Sequence, residues 1–425
     1  MLKAGTAQVD ISPKSGVQLA GYPHCPRPNG GIHDLLYAAC LYLDDGKTRK
    51  AFVTLDLLSI GKQLVTKIRK LFPGIDITFT VSHTHSGPWA SEPLASEKAE
   101  GIECNKDYLG FLENALADLI KKASNNTFSA SMGTNVGICG AEHGIGGNRH
   151  GPDGICDPSV NVLAVKDGRG VVRAVLCNYA LHPTYLHAEN ILVSADYPGY
   201  IRSYVGSEYP QAVFLFAQGA SGDQSSRYFR SGQNFDEAAR AGAALGAAVC
   251  DCVRDMRFDS QITITAENFE IADLPMKKYP PKDAAQMLVK EREAKFEAAK
   301  ASGDYLLMRN AELELFGAQN TYYFSLMAEN NYVSPEFPCE VQVITVGNTH
   351  LVAVQGELFT EYGLQIKKIL GGKVFVFSVS NGYLPGYLYT PQAEKAGSYE
   401  AGTSMFAGNA GEVLVKKIEE KLHNV

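Results

Sequence analysis

Apolar and polar residues follow one another along the chain in short blocks, some with the periodicity of strands and some with that of helices. Apolar residues at helical spacing predict helices at 62–72, 107–122, 236–253 and 358–370. Runs rich in β-branched residues predict buried strands, among them 75–81 and 212–216. Runs on either side of an Asp-Gly or Gly-Asn turn predict hairpins of 41–43 with 51–57, 162–166 with 171–178 and 339–346 with 350–354. The pattern therefore predicts an α/β fold of mixed β-sheets with surrounding helices.

The segment from about 275 to 335 has a different character. It is charged and strongly helix-forming, as at 290–293, and the β pattern returns only after Pro338. We expect a helical insertion here, which could be a lid, an oligomer contact or plain decoration. No internal sequence repeat is visible, so we expect the insertion to interrupt one domain that spans 1–425.

Composition narrows the classes of protein and of partner. With 45% hydrophobic and 20% charged residues, the chain is typical of a globular protein. Its net charge of −7 and the lack of a run of Lys and Arg argue against a nucleic-acid partner. No stretch approaches about 18 uninterrupted apolar residues, so no transmembrane segment is predicted. The oligomeric state cannot be read from the sequence.

The cysteines and the N-terminus bear on the compartment. Nine cysteines are scattered along the chain without a CxxC pair. This spacing favours buried thiols in a reducing compartment and gives no support to a cysteine-ligated zinc site. The first residues lack the apolar core of a signal peptide. We therefore expect a cytoplasmic protein, or a secreted one if a leader has been lost.

The clearest chemical signal is His83-Thr84-His85, which directly follows the predicted strand 75–81. Two residues that are two positions apart on an extended segment point to the same face, so both imidazoles can enter one pocket. Both histidines could bind one metal ion. Equally, one could bind the metal while the other acts as a nearby acid or base. The spacing alone leaves both readings open.

Two other residues could complete such a site. His182 precedes Pro183, which restricts it to an extended conformation, and Glu357 follows a predicted apolar strand. Each also has a purely structural reading, His182 as a satisfied core histidine and Glu357 as an acid at the start of the helix 358–370. Together, two histidines, a carboxylate and an open position form the ligand set that catalytic zinc prefers. The residues therefore point to a zinc-dependent hydrolase.

Further motifs occur in order along most of the chain. They are Gly5-Thr6-Ala7-Gln8-Val9-Asp10-Ile11-Ser12, Gly21-Tyr22, His83-Thr84-His85-Ser86-Gly87-Pro88, Asn148-Arg149, His182-Pro183-Thr184, Ser194-Ala195-Asp196, the run 216–225, Gly386-Tyr387 and Tyr399-Glu400. This series resembles the neutral/alkaline, non-lysosomal ceramidase family. The match in order, rather than any single motif, makes the resemblance specific.

The resemblance implies a ceramidase-like zinc hydrolase catalytic domain that covers the chain, and one zinc ion per chain. It implies that the zinc ligands are His83, His182, Glu357 and Tyr387. It also implies that His85 is the acid or base, and that Arg149 and Tyr399 donate to the oxyanion. Ser225 would line the site. A zinc-activated water would then attack the amide bond of an N-acyl compound, as an amidase of lipid metabolism does. The substrate would be ceramide-like or a smaller soluble N-acyl compound.

The chain departs from the family pattern around the serine. Here Gly222-Asp223-Gln224-Ser225-Ser226-Arg227 replaces the usual Gly-Asp-Val-Ser-Pro-Asn, which leaves open whether the serine is catalytic or only lines the site. The arginine at 227 brings a cation that suits an acidic or polar substrate better than a lipid. We also expect no C-terminal immunoglobulin-like domain, because little sequence follows the last motif.

Two other functions compete with amide hydrolysis. A zinc-dependent esterase, lactonase or phosphoesterase could use the same ligands. Alternatively, a sugar- or lipid-binding protein could keep the fold without the chemistry, although the intact ligand set argues against this. His33, Asp56 and Asp196 also match family positions, and we expect each either to orient a ligand histidine or to be structural, with Asp56 the candidate for orienting one. His143 and His150 flank Arg149 and could border the pocket.

Overall fold

The structure is a computed structural model that describes residues 1–22, 25–91, 103–329 and 337–423. Its strands are β1 (Lys3–Asp10), β2 (Gly31–Ile32), β3 (Tyr37–Asp44), β4 (Arg49–Leu55), β5 (Asp76–Val81), β6 (Phe128–Ile138), β7 (Gly147–Asn148), β8 (Ser159–Asp167), β9 (Val172–Tyr179), β10 (Leu192–Val193), β11 (Val213–Gln218), β12 (Gln224–Ser225), β13 (Ile264–Ile271), β14 (Cys339–Val346), β15 (Thr349–Val354), β16 (Glu357–Leu358), β17 (Lys373–Phe377) and β18 (Tyr387–Leu388). Its α-helices are α1 (Lys62–Leu71), α2 (Lys106–Asn125), α3 (Tyr197–Glu208), α4 (Phe235–Arg254), α5 (Lys282–Ser302), α6 (Tyr305–Glu329), α7 (Thr360–Leu370), α8 (Pro391–Lys395), α9 (Tyr399–Thr403) and α10 (Ala410–His423).

The predicted α/β fold with mixed sheets and surrounding helices is confirmed. All three predicted hairpins form, as β3–β4, β8–β9 and β14–β15, and each pair is antiparallel. The predicted helices correspond to α1, α2, α4 and α7, each with ends within a few residues of those expected. Two long helices, α5 and α6, lie within the predicted insertion. The expectation of a single domain over the whole chain stays a prediction.

The strands form three units with the same topology. In the first unit the strand order is β1-β3-β4-β5, in the second β6-β8-β9-β11, and in the third β13-β14-β15-β17. Each unit pairs its first three strands antiparallel and its fourth parallel to its third, and a helix (α1, α3 or α7) crosses over between those last two. The chain has no sequence repeat, yet its topology repeats three times.

The three units enclose one central core. The first two join into an eight-stranded sheet through two residue pairs between β1 and β6, and the third forms a separate four-stranded sheet. A single buried cluster takes apolar side chains from all three, for example Leu41, Leu176 and Phe375. In β3, the alternate residues Ala38 and Cys40 face a different cluster. Strands buried on both faces explain why the sequence shows almost uninterrupted apolar runs.

Helices cover the outer face of each unit. Apolar residues of α1 and α2 pack on the first unit, those of α3 and α4 on the second, and those of α7 and α10 on the third. In α2 the buried positions recur at helical spacing, and Asn105 caps the N-terminus by accepting a hydrogen bond from the Tyr108 amide. Among the described residues, no helix has both the length and the apolar character that a membrane crossing requires.

This topology places one end of every unit around the same space. Within a unit the first, third and fourth strands run in one direction, so the loops that follow them leave from the same edge. In the third unit the loop after the first strand is expanded into α5 and α6. The insertion therefore starts at the same edge as the loops that carry the candidate site residues.

Candidate metal centre and active site

Each unit delivers residues to the site from equivalent loops. The loops after the third strands carry Leu58, His182 and Glu357, one from each unit. The loops after the fourth strands carry His83, Ser225 and Tyr387 in the same order of units. The loop after the first strand carries Gly21 in the first unit and Arg149 in the second, while α6 stands at this place in the third. Residues as far apart in the chain as Gly21 and Tyr387 thus meet because the topology is repeated.

His83 occupies a strained backbone conformation directly after β5. Its φ angle is +65°, a left-handed conformation that a non-glycine residue adopts at a cost of about 1–3 kcal/mol. The amide of His83 donates to the Leu57 carbonyl at 2.9 Å, and its Nδ1 lies 2.7 Å from the Leu58 carbonyl oxygen. Because Nδ1 is held by the backbone, Nε2 is directed to the interior, where it forms no hydrogen bond with any described residue.

His182 is held in the same way from the second unit. Its Nδ1 lies 2.8 Å from the Ser221 carbonyl oxygen and 3.1 Å from the Gln224 carbonyl oxygen, and the side chain is buried. A backbone carbonyl that accepts from one ring nitrogen fixes the tautomer and leaves the other nitrogen as a lone-pair donor. His83 and His182 therefore both present Nε2.

The carboxylate of Glu357 brings these two nitrogens together. Its Oε2 lies 3.0 Å from Nε2 of His182 and 3.3 Å from Nε2 of His83. The carboxylate thus lies against two imidazoles from different units.

His85 lies beside this group. Its ring centroid is 5.2 Å from that of His83 and 5.9 Å from that of His182, and ligand atoms of the three histidines lie within 4.8 Å of one another. Both ring nitrogens of His85 are buried without a hydrogen bond to any described residue. Burial, together with the charges of His83 and His182, lowers the pKa of His85 well below its ordinary value, which favours the neutral imidazole. The three histidines could together hold a metal ion.

His83 and His85 enter the same space, as predicted, but the backbone conformation that we expected to bring them there is wrong. We expected an extended segment, whereas the strand ends at Val81 and His83 is left-handed. A left-handed residue turns the chain sharply, so the ring of His83 and that of His85 enter the same space at nearly a right angle, 88°. The sequence carries no signal for a positive φ at a histidine.

Tyr387 stands next to Glu357 across a parallel strand pair. Glu357 of β16 and Tyr387 of β18 are partners in register, so their side chains leave the same face. Burial and the charge of Glu357 raise the pKa of Tyr387 well above its ordinary value. The phenol therefore keeps its proton unless a cation lies against it.

Arg149 and Tyr399 complete the group. The guanidinium carbon of Arg149 lies 5.1 Å from the ring centroid of Tyr387 and 5.5 Å from that of Tyr399. Its Nη2 is buried and forms no hydrogen bond within the described part of the chain, which leaves a donor free. Burial raises the pKa of Tyr399 to about 12, so its hydroxyl is also a donor at neutral pH. The site thus holds unused donors beside the histidine cluster.

Glu400 has a role that the sequence did not reveal. Its carboxylate is buried, accepts from Nε of Arg149 at 2.5 Å and lies 2.9 Å from Nε2 of His150. Burial would raise the pKa of Glu400, but Arg149 and His150 outweigh it and lower the pKa far below its usual range. The one signal in the sequence is that Glu400 directly follows Tyr399 in the same motif.

Ser225 lies in the short strand β12, which pairs with β7 next to Arg149. Its Oγ accepts a hydrogen bond from the Arg227 amide at 3.2 Å, and the side chain is buried. This contact gives the serine a structural role within its own loop. The structure brings Ser225 to the site, and the hydrogen bond of its hydroxyl among the described residues is with the Arg227 amide rather than with a base.

Two cavities meet at this group of residues. The first, which we call the aromatic cavity, is lined in part by Leu58, Trp89, Phe316 and Leu384. The second, which we call the arginine cavity, is lined in part by Arg227, Arg230 and Arg309. Both cavities share the walls formed by Gly21, His85, Tyr387 and Tyr399. The two spaces therefore border the same catalytic candidates.

The structure contradicts the expectation for Asp56 and agrees with that for Asp196. Asp56 does not orient a ligand histidine, because its carboxylate accepts from the Tyr37 amide and pairs with Arg202. The backbone carbonyls of Leu58 and Ser221 take the role that we assigned to Asp56. Asp196 is structural as expected, since its carboxylate accepts from two backbone amides.

Of the remaining histidines with an expected role, some border the site and others do not. His33 stacks on Phe235 at 3.7 Å between ring centroids and is structural as expected. His150 borders the site through Glu400, whereas His143 is held by Glu142 on an exposed surface.

Comparisons with known proteins agree with the motif series. The neutral ceramidase of Pseudomonas aeruginosa is 24% identical over 233 residues, which make up 46% of this chain and 32% of that protein. Neutral ceramidase B of Dictyostelium discoideum is 25% identical over 217 residues, or 46% of this chain and 30% of that protein. No protein-family profile matches the chain. The chain is neutral ceramidase-like.

Solved structures show the same fold over almost the whole chain. The crystal structure of neutral ceramidase from Pseudomonas aeruginosa superposes with a TM-score of 0.76 and 16% identity, covering 98% of this chain and 73% of that one. A ceramidase complexed with C2 gives a TM-score of 0.75 and 15% identity, covering 98% and 74%. The neutral ceramidase-like fold is thereby confirmed. The sequence alignments, in contrast, span only about a third of the curated relatives.

Proposed function

We propose that this neutral ceramidase-like protein is a zinc-dependent amidohydrolase that cleaves the linear amide bond of an N-acyl compound. The observation that carries the proposal is the position of Glu357, whose Oε2 lies against Nε2 of both His83 and His182 beside the unpartnered ring of His85. Such an arrangement of buried lone pairs and a negative charge is costly unless a cation compensates it.

The residues present fit a zinc ion. Imidazole nitrogen and carboxylate oxygen are ligands that zinc accepts, and the Nδ1 atoms of His83 and His182 are already held by backbone carbonyls, as zinc ligands commonly are. We assign the ligands to His83, His182, Glu357 and Tyr387, with one ion per chain. When bound, the ion would lower the pKa of a water molecule towards about 7 and polarise the substrate carbonyl.

His85 is assigned to proton transfer. Its ring nitrogens are buried, lie next to the ligand group and make no hydrogen bond with a described residue, so both remain available. Amide cleavage requires a proton to be removed from the attacking water and delivered to the departing nitrogen. A single positioned imidazole can accept that proton and return it.

Arg149 and Tyr399 are assigned to the oxyanion. The free Nη2 of Arg149 and the hydroxyl of Tyr399 face the same cavity as His85. Donors that are already oriented stabilise the negative oxygen of the tetrahedral intermediate, and the loss of one costs about 3–4 kcal/mol. Ser225 is assigned to lining the site rather than to a nucleophilic role.

The test is a panel of substrates given to the zinc-reconstituted protein, with metal content measured by mass spectrometry. We expect about one zinc per chain and turnover of an N-acyl amine. An ester, a lactone and a phosphoester that carry the same hydrophobic group serve as controls. Turnover confined to the ester or lactone, or a protein that binds no zinc after reconstitution, would overturn the proposal.

A further inference from the structure

The arginine cavity holds more positive charge than its own acids neutralise. Within the described part of the chain, Arg227 and Arg230 form no ion pair with any carboxylate. Arg227 donates to the carbonyl of Arg149 and to the side-chain oxygen of Asn310, while Arg230 donates to the Thr184 carbonyl and the Ser226 hydroxyl. Among the described residues, the other two arginines of the cavity each have an acidic partner, Arg309 in Glu312 on the next turn of its helix and Arg149 in Glu400.

These cations are close enough to affect one another. Burial, with the charges of Arg149 and Arg309, lowers the pKa of Arg227 to about 10. Partly buried guanidinium groups that repel each other are costly to keep together unless an anion joins them. They come from different units of the fold, since Arg227 and Arg230 follow β12 whereas Arg309 lies on α6. The cluster is therefore assembled by tertiary structure rather than by a local charge run.

A further buried ring nitrogen lines the same cavity without a hydrogen-bond partner among the described residues. Nε2 of His187 forms no hydrogen bond with a described residue, while its Nδ1 lies 3.1 Å from a carboxylate oxygen of the exposed Glu189. The side chain of His187 is 12% exposed, so Nε2 is shielded from bulk solvent. Because Nδ1 faces the Glu189 carboxylate and burial lowers the pKa of His187 to about 4, the imidazole is neutral and its Nε2 is an acceptor. The guanidinium groups are therefore the groups that could bind an anion in this cavity.

We propose that the arginine cavity is a subsite for an anionic group of the substrate, above all a carboxylate. The inference rests on the proposed amide hydrolysis. A substrate amide placed against His85, Tyr387 and Tyr399 lies where the two cavities meet, so the groups on its two ends can extend into different cavities. Trp89, Phe316 and Leu384 suit a hydrocarbon chain on the first side.

The geometry favours an N-acyl amino acid, with the acyl chain in the aromatic cavity and the amino-acid carboxylate near the arginines. Guanidinium groups bind carboxylates through paired, charge-assisted hydrogen bonds. α6 contributes to both cavities, with Phe316 in the aromatic one and Arg309 in the arginine one. The insertion therefore forms part of the wall of the substrate site. This gives it a more specific role than that of a lid or of plain decoration.

The experiment uses two substrates that differ only in charge, N-dodecanoyl-glycine and N-dodecanoyl-glycinamide. We expect the zinc-loaded protein to show a kcat/KM at least tenfold higher for the glycine compound. Arg309→Gln and Arg227→Gln should each reduce that preference at least fivefold, mainly through KM, and leave turnover of the glycinamide within twofold. Arg309→Lys should retain most of the preference because it keeps the charge.

Arg240→Gln is the matched control, because Arg240 pairs with Glu237 away from both cavities. This variant should leave kcat/KM unchanged for both substrates. Equal kcat/KM values for the two substrates, or arginine variants that slow both equally, would overturn the subsite. A mono-amide of a dicarboxylic acid with an apolar amine tests the opposite orientation, and its exclusive turnover would contradict the N-acyl amino acid.

Failure of the subsite can be told apart from failure of amide hydrolysis. Binding of N-dodecanoyl-glycine and of the glycinamide is measured by calorimetry, which does not require turnover. Tighter binding of the glycine compound, lost in Arg309→Gln, would support the subsite even if no amide were cleaved. Turnover of both amides with equal affinities would support the hydrolase and contradict the subsite.

Discussion

The carboxylate of Glu400 accepts a hydrogen bond from Nε of Arg149 at 2.5 Å, although the two residues are 251 positions apart in the chain. Glu400 is buried, and the guanidinium of Arg149 is only 10% exposed. Burial works to lower the pKa of Arg149, but the charge of Glu400 outweighs it and the net pKa is raised. The pair holds the guanidinium in one orientation, with Nη2 left free.

Glu400→Gln should impair turnover without removing the metal. The amide side chain is close in shape but no longer charged, so the guanidinium of Arg149 loses its orienting partner. We expect kcat to fall by about 10–100-fold, less than for complete loss of an oxyanion donor, which costs up to about 1,000-fold. Zinc content should be unchanged. Glu270→Gln, which breaks an exposed pair with Lys62, is the control and should leave kcat as it is.

Gly21→Ala should disable His85 by contact. Gly21 has a φ of +97°, and a Cβ atom at this position would lie 2.5 Å from the His85 ring. The ring must move, so we expect kcat to drop at least tenfold while zinc stays bound. Gly16→Ala is a matched control, since its φ of +85° carries similar strain but a Cβ there meets no atom within 4 Å. Equal kcat values for the two variants would show that the contact with His85 does not matter.

Ser225→Ala separates a lining residue from a nucleophile. The hydroxyl accepts from the Arg227 amide, so its loss should disturb the loop only slightly. We expect kcat within about tenfold of the wild type. Removal of a catalytic nucleophile would instead cost about a millionfold. Steady-state kinetics with the N-acyl substrate decide between these outcomes, and a loss beyond a thousandfold would restore the nucleophilic role.

Asp196 should make stability depend on pH. Burial raises the pKa of Asp196 to about 7 from an ordinary value of 3.8. A folded-state pKa above the unfolded value means that the carboxyl stabilises the fold below pH ~4 and that this contribution is lost as the pH rises towards ~7. Asp196→Asn should therefore gain stability relative to the wild type across this window, by a few kcal/mol at most, as measured by urea unfolding at several pH values. Asp153→Asn, at an exposed position, should show no such trend.

Much of the fold could be predicted because its strands are buried on both faces. The strand β11 shows as an apolar run, β5 as a run rich in β-branched residues, and β3–β4 as a hairpin around a tight turn. Helices such as α2 show the spacing of an amphipathic surface. These patterns depend only on residues that are near one another in the chain, and such patterns are enough to locate the helices and strands. The repeated topology of the three units stayed hidden because the units share connectivity and not side chains.

The site was predictable only in part. His83, His182 and Glu357 were found as residues, since each follows an apolar strand. Their mutual distances depend on how three units pack, and on a left-handed histidine that no propensity predicts. Asp56 was assigned wrongly because a backbone carbonyl, which every residue has, holds His83 instead. The arginine cavity draws on residues from separate units, and no pattern along the chain connects them.

The central claim is that the two histidines of the first motif have different roles: His83 binds the metal ion and His85 transfers the proton. Zinc stoichiometry and turnover are measured for His83→Ala and His85→Ala after identical reconstitution. The account predicts that His83→Ala loses zinc, while His85→Ala keeps about one zinc per chain and loses turnover. Equal loss of zinc in both variants would contradict it, because both histidines would then be ligands.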